Sequence, residues 1–464
     1  MNIFVFVTIL VVLQLVCLWV GQLSAKNVHN AKGYFLANKE IKFFPLLMTF
    51  VATQIGGGLI LGSAEEAFQF GWTVLLYPLG ACLGFLVLAL GIGKKLAEFE
   101  VATVAELLGV AYRSPTLKKV ASVLSILSLF MILMGQVIAS RKFIVSLGMD
   151  HSFLFLLFWA VVIIYTVIGG LRAVVSIDIV QAAFFIVVFT CGLAYILVNG
   201  NFAVSPIIQS GFSSEVFEFD LPKLTGWLLM PLLFMVIEQD MAQRCFAAKS
   251  PRIVAKAAGY AALCTFFVSI IPVFIGILGK AMGITVPSGS SVFMVVVEVF
   301  SNPVVAAFVG CAVLMAILST AISLLNAVSS NLSQDFNFVR SKGERGVRIS
   351  RQITAGIGFA AVLCSFYPGS IVDLLIESYE LSVYCLFIPV FFGLFKIEKS
   401  TSSAWGACLF GGIGFIITRF FYFDFPKEIL CLLASSVGYW LGELPLCKCT
   451  KKIPRESSTE MIGS

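Results

Sequence analysis

Ser319, Thr320 and Ser323 crowd one stretch of an otherwise apolar run, residues 316–336 (AILSTAISLLNAVSSNLSQDF), with Asn326, Ser329 and Ser330 following. Ser319 and Ser323 stand four residues apart and share a helix face. Hydroxyls in such a helix often bond the carbonyl four residues back. Gathered this densely, they can instead offer neutral oxygens, the ligand type that hard cations take. A second feature is Gly56-Gly57-Gly58, inside residues 49–68 (TFVATQIGGGLILGSAEEAF). Each glycine weakens a helix by about 1 kcal/mol relative to alanine. Interrupted backbone at membrane depth is tolerated only where it is buried in protein or lines a cavity. Its freed carbonyls can then hold a cation or a solute. The rival reading is close helix packing by small residues, although packing faces usually space their glycines by four.

Residues 224–251 contain Pro231 and then Glu238-Gln239-Asp240. A proline frees a carbonyl and kinks its helix. Two interrupted segments five apolar runs apart are the sequence pattern of an inverted-repeat transporter. Asp178 begins another apolar run, and an acid at that depth is a functional candidate. The competing reading is a structural ion pair with Arg172, six residues away. Glu377 and Glu380, spaced i and i+3, share a face and are expected to point into a helix bundle, with no role assigned.

These groups need a framework, and composition defines it. Of 464 residues 59% are hydrophobic and 12% charged, with a mean hydropathy of +1.01. Soluble domains are nearer half apolar and a quarter charged, so the excess must face lipid. Thirteen runs can each span a bilayer: roughly 3–22, 43–63, 71–92, 120–145, 151–169, 175–199, 224–243, 257–280, 303–330, 352–368, 371–395, 402–423 and 427–446. Residues 3–20 carry no preceding basic residue, and the first positive charge, Lys26, follows them. That pattern predicts an uncleaved helix with its N-terminus outside. Alternation then puts most of the 31 Lys plus Arg, Arg244 among them, on cytoplasmic segments. Only Arg141, Lys142, Lys223, Lys280, Arg419 and Lys427 fall elsewhere. Glu215, Glu218 and Asp220 lie in the longest external loop, and the C-terminal tail, 447–464, is cytoplasmic. No run of sequence reads as a soluble sensor or kinase module.

Most cysteines sit in apolar runs and read as small hydrophobes. Cys447 and Cys449 could be palmitoylated, although an inert tail is the simpler reading. Two histidines, His29 and His151, make a histidine-rich metal or proton-relay site a poor fit, and no zinc spacing occurs.

Four stretches together resemble the sodium/solute symporter family, whose members carry proline, pantothenate, sialic acid or sugars. They are residues 165–181 (YTVIGGLRAVVSIDIVQ), 316–335 (AILSTAISLLNAVSSNLSQD), 243–251 (QRCFAAKSP) and 34–45 (YFLANKEIKFFP). The similarity runs in order over about residues 1–445. It implies an all-α integral membrane protein with a LeuT-type five-plus-five inverted repeat. An accessory helix (1–25) would precede the first repeat (43–199), and the second repeat (224–395) would be followed by accessory helices (402–446).

The resemblance further implies a sodium site built from the carbonyls of Ala52, Ile55 and Ala316 and the hydroxyls of Ser319 and Thr320. Some members add a second cation site at the acid matching Asp178 and serines one turn further on. Ser323 is present here, but Ile322 replaces a neighbouring serine, which favours a single sodium. Gln54 stands where many proline carriers have an aspartate. Phe234 matches an aromatic gate residue, and Pro231 stands where sugar carriers tend to place asparagine.

The expected function is sodium-coupled symport of a small organic solute, with a proline-like amino acid as the leading candidate. The solute would bind at Gln54, Gly56, Gly57, Gly58 and Leu59, against Gln136, Phe234 and Glu238. Sodium is the coupling ion, with no other cofactor and no nucleic-acid partner. The chain is expected to work as a monomer in the plasma (inner) membrane. The alternatives are proton coupling through Asp178 or Glu238, with a small carboxylate, vitamin or sugar acid as solute, and a membrane-embedded enzyme. The last is disfavoured because paired histidines, HExxH and nucleophile motifs are missing from the sequence.

Overall fold

The computed structural model describes residues 1–25, 31–148, 152–200, 202–212, 220–336, 344–364, 370–396, 400–421, 423 and 425–444. The 447–464 tail with Cys447 and Cys449, together with Lys26, His29, His151, Glu215 and Glu218, lies outside these residues. The described chain is helical, and its one β-type pairing is the isolated parallel bridge Ile41–Ala248.

The principal helices are α1 (Ile3–Ala25), α2 (Phe43–Gln54), α3 (Ser63–Phe70), α4 (Leu76–Val87), α5 (Pro115–Ser146) and α6 (Ser152–Asn199). They continue with α7 (Leu221–Ile237), α8 (Gln239–Ala247), α9 (Pro251–Ala281), α10 (Val292–Phe300) and α11 (Pro303–Asp335). The last four are α12 (Glu344–Leu363), α13 (Ile371–Phe395), α14 (Thr401–Phe420) and α15 (Lys427–Leu441). Starts are marked by polar caps. Asn302 accepts from the Val304 and Val305 amides at 3.0 and 2.8 Å, with Pro303 as the first helical residue of α11. Ser114 and Pro115 do the same for α5. A capping oxygen satisfies amides the first turn leaves unpaired, and proline there loses nothing.

The thirteen apolar runs lie wholly or mostly on helix, but the expected span count is not reproduced by length and composition. Eight helices among the described residues are long and apolar enough to cross a membrane, or nine if the bent pair α7–α8 counts as one. The second run is split, leaving α2 with only 12 residues. The fifth and sixth runs form one 48-residue helix, α6, kinked at Gly170 (φ 58, ψ −163). A side chain at Gly170 would approach the Tyr34 carbonyl oxygen to 2.5 Å, so the kink needs glycine both for its positive φ and for this contact.

Burial ranks the helices. In α11, 89% of the apolar window is buried inside the protein, against 11% in α1 and 28% in α14. Therefore α11 is the axis of the bundle, and α1 and α14 are lipid-facing. Both interrupted segments pack near it. α2 stops at Gln54, where Ile55 turns non-helical (ψ 84), and the chain resumes through a wide turn, Gly58–Gly62, into α3. α7 stops at Ile237, where Glu238 is extended (ψ 119), and α8 leaves at 42°. The Ile41–Ala248 bridge ties the residues before α2 to those after α8. Its two bonds are Ile41 N–H to the Ala247 carbonyl (3.2 Å) and Lys249 N–H to the Ile41 carbonyl (2.9 Å).

Candidate functional site

The break after α2 exposes carbonyls that an unbroken helix would have paired. The hydroxyls of α11 meet them. Ser319 Oγ donates to the Ala52 carbonyl at 2.8 Å and lies 2.9 Å from the Ala316 carbonyl. Thr320 Oγ1 lies 3.0 Å from the Thr53 carbonyl, 3.3 Å from that of Ala316 and 3.4 Å from that of Ala52. Ala52, Ile55, Ala316 and Ser319 are fully buried. The hydroxyls thus bond a carbonyl of their own helix and also reach across to carbonyls of α2. The donor set consists only of neutral oxygens from two helices, which suits a hard monovalent cation. Thr53 enters through its backbone, a contribution with no side-chain signature in the sequence.

Beside this cluster the three glycines are tightly enclosed. The Gly57 amide donates to Gln136 Oε1 of α5 at 2.8 Å. A side chain at Gly56 would meet Thr320 Oγ1 at 2.5 Å, and one at Gly57 would meet the Ala139 β-carbon at 2.4 Å. At Gly58 it would meet Leu375 Cδ1 at 2.1 Å, with Tyr77 Oη at 3.7 Å. The glycines therefore serve close packing and the broken backbone at once. Leu59 is buried and Gln54 half-buried.

Phe234 stacks on Tyr379 of α13, with centroids 4.4 Å apart and planes 21° apart. The Tyr379 and Tyr77 hydroxyls are 3.5 Å apart. These two tyrosines link Phe234 on α7 to the glycine break, and the sequence reading missed them because isolated tyrosines in apolar runs carry no signal. Glu238 sits half-buried at the α7–α8 break. Ala52, Ala316, Ser319 and Thr320 are therefore brought together, as are Gly56, Gly57 and Gln136. Phe234 joins them through Tyr379, while Glu238 marks the second break.

Asp178 is not paired with Arg172, which instead meets Glu40 at 3.3 Å. Its partner is Arg244 of α8, 3.3 Å away, and both side chains are fully buried. Arg244, expected on a cytoplasmic segment, is buried within the protein against Asp178. Ser323 lies on the same guanidinium at 2.5 Å. Glu377 and Glu380 do not both point inward either. Glu377 is partly exposed and pairs with Arg419 on α14, whereas Glu380 is buried and meets Lys427 at the start of α15, 2.6 Å away.

A broken, buried helix whose carbonyls face a hydroxyl-bearing partner defines a cation-coupled carrier more readily than a catalyst. Residues 34–363 match the sodium:solute symporter family, and the chain belongs to that family. It is a membrane transporter with sodium as coupling ion, not an enzyme.

Among its relatives, the osmoregulated proline transporter OpuE of Bacillus subtilis is 24% identical over 77% of either chain. A sodium/pantothenate symporter of Haemophilus influenzae is 29% identical over a stretch spanning only 30% of either chain. The structure of a Na+-coupled sialic acid symporter, in a substrate-bound outward-open state, superposes with a TM-score of 0.80 at 17% identity. It covers 97% of this chain and 99% of that one. MhsT in complex with L-phenylalanine gives a TM-score of 0.59 at 16% identity, over 87% of this chain and 99% of that one. These likenesses establish the LeuT-type fold.

Proposed function

We propose that the chain couples one sodium ion to import of a small zwitterionic solute of the proline type, by alternating access between the repeats 43–199 and 224–395. Sodium is held by the Ala52, Ile55 and Ala316 carbonyls and the Ser319 and Thr320 hydroxyls. The observation that carries this reading is the approach of the Ser319 and Thr320 hydroxyls to the Ala52 and Thr53 carbonyls. An ion there bonds two helices from opposite repeats and so favours the one conformation in which they are close. Only a ligand with unequal affinity for two states can shift their populations, and a site divided between moving halves has that inequality built in.

The solute binds along Gln54–Leu59, against Gln136, Phe234 and Glu238, with Tyr77 and Tyr379 completing the wall. Amide groups of the broken backbone suit a carboxylate, and Glu238 suits an ammonium. The likeness to a proline transporter over 77% of the chain supports this solute class. One charge crossing 100 mV supplies about 2.3 kcal/mol, roughly 50-fold accumulation. The N-terminus lies outside and the tail in the cytoplasm, with the chain working as a monomer in the cell membrane. The test is radiolabelled proline uptake into proteoliposomes, with sodium against choline and across a pH gradient. Uptake driven by the pH gradient without sodium would refute sodium coupling.

A further inference from the structure

A polar chamber lies one helical turn beyond the proposed sodium site, and the Arg244 guanidinium fills it. Arg244 Nε donates to Thr49 Oγ1 at 2.8 Å, and Nη1 donates to the Asp240 main-chain carbonyl at 2.8 Å. Nη2 reaches Ser323 Oγ at 2.5 Å and Asp178 Oδ2 at 3.3 Å. Thr49 in turn donates to the same Asp178 oxygen at 2.5 Å. Thr49, Asp178, Arg244 and Ser323 are all essentially inaccessible to solvent. The chamber is joined to the sodium-site residues through Thr53, whose hydroxyl lies 3.1 Å from Ser323 Oγ and whose carbonyl faces Thr320.

An acid, two hydroxyls and a nearby carbonyl make a donor set that a monovalent cation could use. Here every part of that set is already directed at a covalently attached cation. The nearest other acid on α8, Asp240, bonds its own helix start through the Met241 amide at 2.9 Å, a position where the helix dipole favours negative charge. A sodium ion added beside Arg244 would bring a second positive charge to Asp178 in a dry interior, where unpaired charge is costly. A second sodium therefore does not fit these residues as they stand.

The geometry points to Arg244 as a resident cation: it occupies the place a second sodium would take and limits the chain to one sodium ion per transport cycle. In this role Arg244 is a positioning residue and touches neither solute nor the coupling ion. Asp178 Oδ1 has no hydrogen-bond partner among the described residues, which leaves one oxygen free to receive an ion once the guanidinium is removed.

The proposal rests on the sodium site assigned above, and the experiment separates the two. Binding of radiolabelled sodium to the full chain in lipid nanodiscs is counted as ions per chain. The wild type is expected to bind one ion. Arg244→Gln and Arg244→Met, two neutral replacements, are expected to bind two, with the extra ion lost again when Asp178→Asn is added. Arg244→Lys keeps the charge and is expected to bind one. Two ions in the wild type, or one ion in a folded neutral variant, overturns the resident-cation role. Should neither neutral variant fold, the wild-type count decides alone. If Ser319→Ala/Thr320→Ala keeps its ion while Arg244→Gln still gains one, the sodium-site assignment fails and the resident cation stands.

Discussion

The Ser319 hydroxyl of α11 lies 2.8 Å from the Ala52 carbonyl oxygen of α2, joining two helices through residues 267 positions apart in sequence. Each such bond contributes about 1 kcal/mol to stability, so removing it should leave the protein folded. Ser319→Ala/Thr320→Ala is expected to weaken the apparent sodium affinity of uptake at least about 10-fold, equal to about 1.4 kcal/mol. The sodium dependence of initial rates checks this, and an unchanged midpoint would sink the site.

Gly57 faces a wall that cannot yield. The Ala139 β-carbon, 2.4 Å from where a Gly57 side chain would begin, is fixed to its own backbone. Overpacking of this kind costs about 1–3 kcal/mol. Gly57→Ala is expected to lower the melting temperature and to cut uptake by more than about 10-fold. Gly356→Ala in α12, with nothing within 4 Å, is the control. It should be neutral, or stabilising by up to about 1 kcal/mol through helix propensity. Thermal denaturation of both variants in detergent makes the comparison.

Gln136 holds the Gly57 amide, and Gln136→Leu would strip a buried N–H of its partner, at a cost of about 1–3 kcal/mol. Solute affinity is expected to fall by about 10-fold, with sodium affinity changed less than about 2-fold. A Gln136→Leu variant that loses sodium affinity and keeps solute affinity would reverse the assignment of the two regions.

At the far end of the broken span, α3 is strapped to three other helices. Glu65 pairs with Lys142 of α5 at 2.7 Å and Glu66 with Lys223 of α7 at 3.6 Å, while Ser370 Oγ, capping α13, donates to Glu66 at 2.6 Å. Lys223 also lies 3.8 Å from the Phe70 ring centre. Partly exposed pairs contribute up to about 1 kcal/mol each. Glu65→Gln/Glu66→Gln is therefore expected to raise amide hydrogen exchange over residues 63–75 by about 5-fold, with a smaller rise on adding salt. Unaltered exchange would show that the strap does not hold this end closed.

Packing remote from the ion can be tested apart from it. α14 and α15 touch through glycines, and a side chain at Gly406 would lie 2.0 Å from the Gly438 carbonyl oxygen. Small residues let membrane helices approach this closely. Gly406→Ala is expected to lower the melting temperature while the sodium midpoint stays within about 2-fold of wild type, because neither helix contributes to the proposed site.

Much of this molecule was legible in the chain itself. Apolar runs long enough to span lipid define an all-α membrane protein, since only satisfied backbone survives there. Gly56–Gly58 mark the first interrupted segment, because glycine acts locally on the helix that carries it. Pro231 does not mark the second, since it lies inside α7 and the break falls seven residues later at Glu238. Ser319, Thr320 and Ser323 declare a polar face on α11 by spacing alone. Only the tertiary structure decided what those groups meet. Which carbonyls face α11, whether Asp178 pairs with Arg172 or Arg244, and how Phe234 reaches the glycine break through Tyr379 and Tyr77 are long-range choices. They are made by packing between helices far apart in sequence, and helical periodicity does not encode them. Arg244 shows the limit most clearly: charge counting treats it as one more basic residue near a helix end and carries no sign that folding buries it against Asp178, where its charge finds an opposite charge instead of water.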